Sequence, residues 1–301
     1  MTENIKNDFK SKLSSVLFDE TMKKHTTFKI GGPAEIFIDA GSKEEVLAAI
    51  ELCHKNNLPF MIIGNGSNLL VSDKGISGAV ICVGNRMKNI EVKDNVMYAE
   101  CGALLSVVSN TAQKHSLSGL EFAAGIPGTL GGGVYMNAGA YGGELKDVVR
   151  RVTYIDDEGN IKKAEENELD FSYRHSMFSD KNFVILEAEL ELKAGDAEKI
   201  RAEMTELNKR RCEKQPLEFP SAGSTFKRPE GYFAGKLIQD SGLSGYTIGG
   251  AKVSEKHAGF VINNGDATAQ DVLNLIAHIQ KTVFEKFGVN LETEVRLIGI
   301  K

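Results

Sequence analysis

The sequence lacks most features that mark secreted or metal-binding proteins. Of its 301 residues only four are cysteines, at positions 53, 82, 101 and 212, and no two of them form a CxxC pair. This spacing suggests neither a disulfide framework nor a zinc site. The six histidines stand at no metal-ligand spacing and no HExxH motif is present, so we expect no bound metal.

Membrane segments and a strong positive charge are also missing. No apolar run reaches membrane-spanning length, and residues 1–18 lack the uninterrupted apolar core of a signal peptide. The net charge of -5 argues against nucleic acid as the main partner, because nucleic-acid binding usually requires a basic face. We therefore expect a cytoplasmic protein without nucleic-acid or membrane partners. A hydrophobic content of 42% and a charged content of 26% are typical of soluble globular domains, and the length allows two or three.

Hydrophobic spacing and turn signals predict a mixed α/β chain without internal repeats. Helices are expected over 1–20 (one or two), after the capping box of Ser42 and Glu45, and over 103–115, 196–215 and 268–287. Strands are expected at 34–38, 60–63, 79–83, 90–92, 96–100, 152–155, 161–164, 182–193, 259–263 and 292–298. The first two of these strands flank a helix, and handedness predicts that they run parallel. Residues 157–160 predict a hairpin turn between the strands at 152–155 and 161–164, and the last helix is expected to end at Gly288.

The densest glycine cluster lies in residues 125–143, called the glycine segment below. Eight of the chain's 31 glycines fall within these 19 positions, interspersed with apolar residues and without a serine or a charge. Glycine clusters of this kind allow positive φ angles or close approach of backbone to a ligand. A flexible linker is the alternative, but linkers are usually polar and rich in serine. The composition favours a buried loop that wraps a ligand.

A second glycine-containing loop, residues 64–68, follows the strand at 60–63. Its sequence Gly-Asn-Gly-Ser-Asn offers backbone amides and polar side chains that can hold phosphate oxygens, although such a loop is often only a turn. The loop is not a Rossmann fingerprint, because Leu69 stands where the third glycine should be. Neither glycine-rich stretch carries a Walker lysine.

Two short motifs carry reactive side chains but are ambiguous when taken singly. Arg174, within residues 173–178, either clamps an anionic group bidentately or forms a surface ion pair. Ser224, within residues 221–227, fits no nucleophile elbow, because alanine and phenylalanine occupy that motif's glycine positions. On its own, Ser224 would be a turn or cap residue.

The third motif lies in the predicted strand at the C-terminus. Alternation with period two places Glu292, Glu294 and Arg296 on one face. The simplest interpretation of this face is a solvated surface with a cross-strand ion pair.

Taken in order, these motifs resemble the UDP-N-acetylenolpyruvoylglucosamine reductase (UDP-N-acetylmuramate dehydrogenase) family. The resemblance extends over residues 26–299, and its motifs lie at 28–34, 64–68, 125–142, 173–178, 222–226 and 291–299. Any one of them could arise by chance, but six in the same order are specific to this family rather than to FAD-binding domains in general.

The resemblance implies an α+β (mixed α/β) fold. The expected parts are a two-subdomain FAD-binding domain of the PCMH/vanillyl-alcohol-oxidase type and a smaller C-terminal α+β substrate-binding domain. We predict the FAD-binding domain at 1–200 with its subdomains split near 75, the substrate-binding domain at 201–290, and a strand at 291–301 that returns to the active site. We expect a monomer.

The resemblance also implies non-covalently bound FAD, with its pyrophosphate at residues 64–68 and the glycine segment wrapped around it. The positions expected to contact FAD are Gly64, Asn65, Gly66, Ser67, Asn68, Ile126, Pro127, Gly128, Thr129, Gly131, Gly132, Asn137, Gly139 and Ala140. NADPH is the implied co-substrate and reduces the flavin. Hydride then passes to the enolpyruvyl group of UDP-N-acetylglucosamine-enolpyruvate, giving the peptidoglycan precursor UDP-N-acetylmuramate.

By the same resemblance, Arg174 and Glu294 stabilise the enolate-like intermediate, with Glu294 protonated so that it can donate a hydrogen bond. Ser224 matches the proton donor. Positions that contact substrate or nucleotide in the family are matched by Tyr173, Lys214, Arg228 and His257. His257 stands where some relatives carry glutamine.

The chain lacks one loop that some members of the family have. Arg174 and Ser224 are only 50 positions apart, which leaves no room for the tyrosine-bearing loop that those members carry between the two motifs. The chain therefore resembles the compact subclass. Two alternatives remain at this point: a flavin oxidase that shares the FAD-binding domain, and a nucleotide-sugar-binding or structural protein without a cofactor.

Overall fold

The computed structural model of the protein describes residues 2–84, 86–179 and 181–300. Within these residues the chain forms two compact units whose segments alternate along the sequence. The first unit contains residues 1–18, 36–65 and 78–210; the second contains residues 19–35, 66–77 and 211–301.

The helices that carry the fold are α1 (Glu3–Lys12), α2 (Lys43–Lys55), α3 (Leu105–Lys114), α4 (Leu130–Tyr135), α5 (Ala197–Lys214), α6 (Ala234–Asp240) and α7 (Ala269–Phe287). The strands of the N-terminal half are β1 (Val16–Thr21), β2 (Pro33–Asp39), β3 (Phe60–Ile63), β4 (Leu69–Val71), β5 (Ile76–Cys82), β6 (Ile90–Lys93), β7 (Val96–Glu100), β8 (Leu117–Ser118), β9 (Gly139–Ala140) and β10 (Gly143–Glu144). The remaining strands are β11 (Val149–Ile155), β12 (Ile161–Glu165), β13 (Val184–Glu191), β14 (Lys193–Ala194), β15 (Thr247–Ile248), β16 (Ala251–Val253), β17 (Val261–Asn263) and β18 (Arg296–Ile298).

The first unit is built on an antiparallel five-stranded sheet with the order β12-β11-β13-β7-β6. The turn between β11 and β12 is the predicted hairpin, and the Asp156 carboxylate closes it by accepting hydrogen bonds from the amides of Glu158 and Asn160. Helix α4 packs against β7 and β13 of this sheet. The sheet and the apolar faces of α2 and α3 share one hydrophobic core, which positions the glycine segment.

In the second unit α7 packs against the antiparallel sheet β15-β16-β17, and α6 packs against α7. Helix α7 lies where a helix was predicted, and Thr268 caps it, its hydroxyl accepting a hydrogen bond from the amide of Asp271. Gly288 ends the helix in the left-handed conformation that favours glycine. Phe28, Ile30 and Leu70, from segments far upstream, are buried in the same hydrophobic core as α7.

Several predicted elements differ from the structure. The helical prediction for residues 1–20 is wrong beyond α1, because the carbonyl of Ser15 accepts a hydrogen bond from Asp39 and the chain continues as β1. The strand predicted at 292–298 begins only at Arg296. Its first half is irregular, because the amides of Glu294 and Val295 both donate to the carbonyl of Thr225.

The glycine segment also differs from its prediction, because it contains the short helix α4 rather than a continuous loop.

The two strands that flank α2 belong to one four-stranded sheet, whose order is β1-β2-β5-β3. Strand β5 lies between them and runs parallel to β3. The parallel direction of β2 and β3 stays a prediction.

Candidate active site

Backbone hydrogen bonds fix the glycine segment to the link between β7 and α3. The amide of Leu130 donates to the carbonyl of Ala103 at 2.8 Å, and the amide of Gly131 donates to the carbonyl of Cys101 at 2.8 Å. Thr129 caps α4, and its hydroxyl accepts from the amide of Gly132 at 3.3 Å. These contacts explain how a glycine-rich stretch forms a helical turn despite its poor helix propensity.

Two adjacent glycines of α4 have different surroundings. Gly131 is buried, and a Cβ atom there would lie 2.9 Å from the Cβ of Cys101, which is too close. Gly132 is exposed, and a Cβ atom there would meet only the Thr129 hydroxyl, at 3.5 Å. Protein packing therefore requires glycine at 131 but not at 132. The open backbone at Gly132 fits a cofactor that lies directly against the chain.

Loop 64–68 begins beside the glycine segment in the first unit. The side-chain amide of Asn65 donates to the carbonyl of Pro127 at 2.6 Å. A Cβ atom on Gly64 would collide with the hydroxyl of Thr129, so glycine is needed for this close approach. These contacts bring together the beginnings of the two stretches that the sequence assigns to FAD.

The end of the same loop belongs to the second unit, where three distant motifs meet. The side-chain amide of Asn68 donates to the carbonyl of Glu294 at 3.0 Å, and the amide of Arg296 donates to the carbonyl of Asn68 at 2.9 Å. The amide of Glu294 donates to the carbonyl of Thr225 at 2.8 Å. Ser224, directly before Thr225, is half-buried, and its hydroxyl has no hydrogen-bond partner among the residues that the structure describes. In the second unit, the Ser224 hydroxyl therefore lies next to a residue, Thr225, whose backbone is hydrogen-bonded to the backbone of Glu294.

Arg174 lies in the first unit, at the tip of a tight turn. Ser172 and His175 exchange backbone hydrogen bonds of 3.2 Å in both directions, and Arg174 between them has a φ of 56°. One guanidinium nitrogen lies 3.4 Å from the carbonyl of Gly139, and the guanidinium carbon lies 5.1 Å from the Tyr173 ring centroid. The geometry holds a permanent cation next to the glycine segment.

A carboxylate lies close to this cation. The Lys146 ammonium, 2.8 Å from Glu144, holds the pKa of that carboxyl below its usual range. The side-chain amide of Asn137 and the charge of Arg174 act in the same direction, against the opposing effect of burial. Glu144 is therefore ionised at neutral pH, and sequence reasoning did not identify it as part of the site.

The residues expected to contact substrate have different environments. Tyr173, Lys214 and Arg228 are exposed, and the Arg228 guanidinium lies 4.1 Å from the ring centroid of exposed Phe233. His257 is partly buried, and its Nδ1 accepts a hydrogen bond from the amide of Gly259 at 3.1 Å. Burial lowers the pKa of His257, so the ring is neutral at pH 7 with its proton on Nε2.

Two family matches cover most of the chain. Residues 34–165 match the FAD binding domain family, and residues 215–298 match the family described as UDP-N-acetylenolpyruvoylglucosamine reductase, C-terminal domain. The chain is 53% identical over 290 residues to the UDP-N-acetylenolpyruvoylglucosamine reductase of Caldanaerobacter subterraneus subsp. tengcongensis, covering 96% of each chain. The chain belongs to the UDP-N-acetylenolpyruvoylglucosamine reductase family.

Another family member, from Clostridioides difficile, is 51% identical over 281 residues, which cover 93% of this chain and 92% of that relative. The crystal structure of the Thermus caldophilus reductase superposes with a TM-score of 0.81 at 34% identity, covering 94% of this chain and 98% of that one. The protein is an FAD-dependent oxidoreductase of peptidoglycan precursor synthesis and acts on small molecules. The predicted family and enzyme class are confirmed.

More distant structures share the fold alone. The glucose dehydrogenase Phl p 4 has a TM-score of 0.52 at 12% identity, over 65% of this chain and 45% of that one. A 4-ethylphenol oxidase from Gulosibacter chungangensis has a TM-score of 0.50 at 17% identity, over 64% of this chain and 42% of that one. The predicted fold class, an FAD-binding domain of this type with an added C-terminal domain, is confirmed.

Among the residues that the structure describes, every helix is either too short or too polar to span a bilayer.

Proposed function

We propose that the protein reduces UDP-N-acetylglucosamine-enolpyruvate to UDP-N-acetylmuramate with NADPH as the reductant. The observation that carries this proposal is the junction in the second unit, where Asn68 donates to the carbonyl of Glu294 and Thr225 accepts from the amide of Glu294. An oxidase on the same FAD-binding fold has no need for Ser224 and Glu294 to be joined in this way.

FAD, when bound, would supply the hydride chemistry between NADPH and the terminal carbon of the enolpyruvyl group. Gly132, Thr129 and Asn65 are the residues we expect to lie along it, because they combine open backbone with the contacts that tie loop 64–68 to the glycine segment. The remaining chemistry falls to the protein. It must stabilise the negative charge that hydride addition places on the substrate carboxylate, and it must deliver one proton.

Arg174 and Glu294 are proposed to stabilise that charge. The guanidinium of Arg174 is a permanent cation, and a protonated Glu294 would donate a hydrogen bond to the enolate oxygen. A preorganised donor of this kind typically contributes roughly 10²–10³-fold to a rate. The remaining FAD contacts named from the sequence stay predictions, as do the substrate contacts of Tyr173, Lys214, Arg228 and His257.

Ser224 is proposed to protonate the carbon that bears the carboxylate. Its O–H bond breaks as the new C–H bond forms, and the resulting alkoxide is reprotonated from solvent. Serine is a weak acid, so this role requires a strongly basic carbanion next to it. A positioned acid typically contributes about 10²–10⁴-fold. The hydroxyl suits this role, because it is committed to no other partner among the described residues.

The domain assignment belongs to the same proposal. An FAD-binding part at 1–200 and a substrate-binding part at 201–290 would be followed by a C-terminal segment at 291–301 that carries Glu294 and returns to the active site. We also propose that the enzyme acts as a cytoplasmic monomer and binds no nucleic acid.

An anaerobic absorption experiment tests the function. The flavin band should bleach when NADPH is added and return when UDP-N-acetylglucosamine-enolpyruvate follows. A flavin that bleaches but stays reduced would refute the proposed substrate, whereas the assignment of FAD as the cofactor would stand. The variant Ser224→Ala should bleach normally with NADPH and then reoxidise with substrate about 10²–10⁴-fold more slowly. Normal reoxidation in this variant would refute Ser224 as the proton donor.

A further inference from the structure

The glycine segment contains one polar side chain that is completely buried. Asn137 is 0% exposed, and its backbone has a φ of 45°, which asparagine tolerates better than most residues. Sequence reasoning placed Asn137 among the FAD contacts. The structure instead commits its side chain to protein partners.

Three hydrogen bonds hold the side chain of Asn137. Its Nδ2 donates to the carbonyl of Ser172 at 3.0 Å and to Oε2 of Glu144 at 3.0 Å. Its Oδ1 accepts from the backbone amide of Lys146 at 2.9 Å. Because a backbone carbonyl and a backbone amide fix the two ends, the orientation of the amide group is unambiguous. Both N–H donors are used.

One of these bonds reaches the turn that carries Arg174. Ser172 forms the base of the turn through its backbone exchange with His175, and Arg174 stands at the tip in the left-handed region. A turn with a non-glycine residue in that region needs support from its surroundings. The bond from Asn137 supplies it from the glycine segment, and the Arg174 guanidinium lies near the carbonyl of Gly139 on that same segment.

We propose that Asn137 is a positioning residue, whose side chain fixes the Arg174 turn relative to the glycine segment without itself contacting FAD or substrate. This inference rests on the role proposed above for Arg174. Loss of the bond to Ser172 frees the turn, so the guanidinium is no longer held where the substrate carboxylate gains charge. A misplacement of about 1 Å typically costs on the order of 10²-fold in rate.

The test uses Asn137→Asp, which has nearly the same shape and keeps the acceptor for Lys146, but replaces the donors to Ser172 and Glu144 by a carboxylate oxygen that both of them repel. We expect FAD affinity and NADPH-driven bleaching within about twofold of wild type, and substrate-driven reoxidation on the order of 10²-fold slower. Asn137→Gly, which keeps the positive φ accessible, is the second variant if the first does not fold.

Ser109→Ala is the matched control. Ser109 is also buried in the first unit, and its hydroxyl donates to the carbonyl of Leu120 at 2.8 Å. It should lower thermal stability while leaving both half-reactions unchanged. A similar loss of reoxidation in the control and in Asn137→Asp would overturn the inference.

A double-mutant cycle with Arg174→Ala decides whether Asn137 acts through Arg174. In that background Asn137→Asp should change reoxidation by less than about twofold, against on the order of 10²-fold in wild type. If Asn137→Asp slowed reoxidation equally in wild type and in Arg174→Ala, the inference about Asn137 would be overturned, whereas the role proposed for Arg174 would stand. Normal reoxidation by Arg174→Ala would overturn both the inference and the role proposed for Arg174.

Discussion

The side-chain amide of Asn68 donates a 3.0 Å hydrogen bond to the carbonyl of Glu294, 226 positions further along the chain. Three residues before Asn68, the side-chain amide of Asn65 donates at 2.6 Å to the carbonyl of Pro127, 62 positions away. One short loop therefore anchors two motifs, the glycine segment through Asn65 and the segment before β18 that contains Glu294 through Asn68.

These two anchors predict separate consequences for two similar substitutions. Asn65→Ala removes the tie to the glycine segment, so FAD affinity should fall by about tenfold, equivalent to about 1.4 kcal/mol. Asn68→Ala removes the tie to Glu294, so substrate-driven reoxidation of the FAD-loaded variant should fall by at least about tenfold, a loss not expected of FAD-loaded Asn65→Ala. Flavin fluorescence titration and stopped-flow absorption measure the two effects. If the two variants changed FAD affinity and the rate of reoxidation in the same way, the loop would not have two separate roles.

Adjacent glycines of α4 give a second matched pair. Gly131→Ala places a methyl group against Cys101, and such overpacking typically costs about 1–3 kcal/mol of stability. Gly132→Ala meets no such obstacle, and alanine is favoured over glycine in a helix by about 1 kcal/mol. Thermal unfolding of the flavin-free protein should therefore show a lower Tm for Gly131→Ala only. FAD titration should show weaker binding for Gly132→Ala; unchanged affinity there would mean that Gly132 does not face the cofactor.

Glu294 and Glu292 provide a third comparison. Glu292 is exposed and lies 3.2 Å from the Lys227 ammonium, a surface ion pair whose loss typically costs about 0–1 kcal/mol. Glu294→Ala should slow substrate-driven reoxidation by roughly 10²–10³-fold, because it removes the proposed donor to the enolate. Glu292→Ala should leave both half-reactions at wild-type rates. Full activity of Glu294→Ala would remove Glu294 from the mechanism.

His257 predicts a pH dependence of stability. Burial lowers the pKa of His257 in the folded protein, whereas the unfolded side chain titrates near the usual value of about 6.5. As pH falls below about 6.5, His257 therefore binds a proton in the unfolded chain before it does so in the folded chain. The free energy of unfolding decreases as a result. Protonation would also remove the acceptor for the Gly259 amide.

Urea unfolding at pH 7.5 and pH 5.5 measures this effect. His257→Gln should lose less stability between the two pH values than the wild type does. His54→Gln in α2 controls for the same change at another position. An equal pH dependence in wild type and His257→Gln would show that His257 carries no part of it.

Local signals predicted the elements whose ends are set by nearby residues. Thr268 and Gly288 bound α7 because a hydroxyl cap and a left-handed glycine act within one turn of the helix. The β11–β12 hairpin was predicted for a similar reason, since Asp156 closes the turn with the amides that follow it. The family, and with it the fold class, followed from six motifs in order.

Elements that depend on distant partners were not predictable in this way. Val16 and Leu17 satisfy helical spacing, yet they form a strand. The helical turn α4 forms because the carbonyls of Cys101 and Ala103 accept its first amides, which a glycine-rich sequence does not indicate. Asn137 was assigned to the cofactor from its motif, and only the fold brings it next to Ser172 and Glu144.

The parallel pairing of β4 with β18 has a consequence for how the enzyme is made. Leu69–Val71 pairs with Arg296–Ile298, and Leu70 is fully buried in a core that also contains α7. Contacts this distant in sequence close slowly, because the entropy of a long loop must be lost first. Until the ribosome has translated Glu294, the Asn68 side chain lacks this partner, and until it has translated α7, Leu70 lacks much of the core that buries it. The second unit can therefore complete its fold only after β18 has been synthesised, near the end of translation.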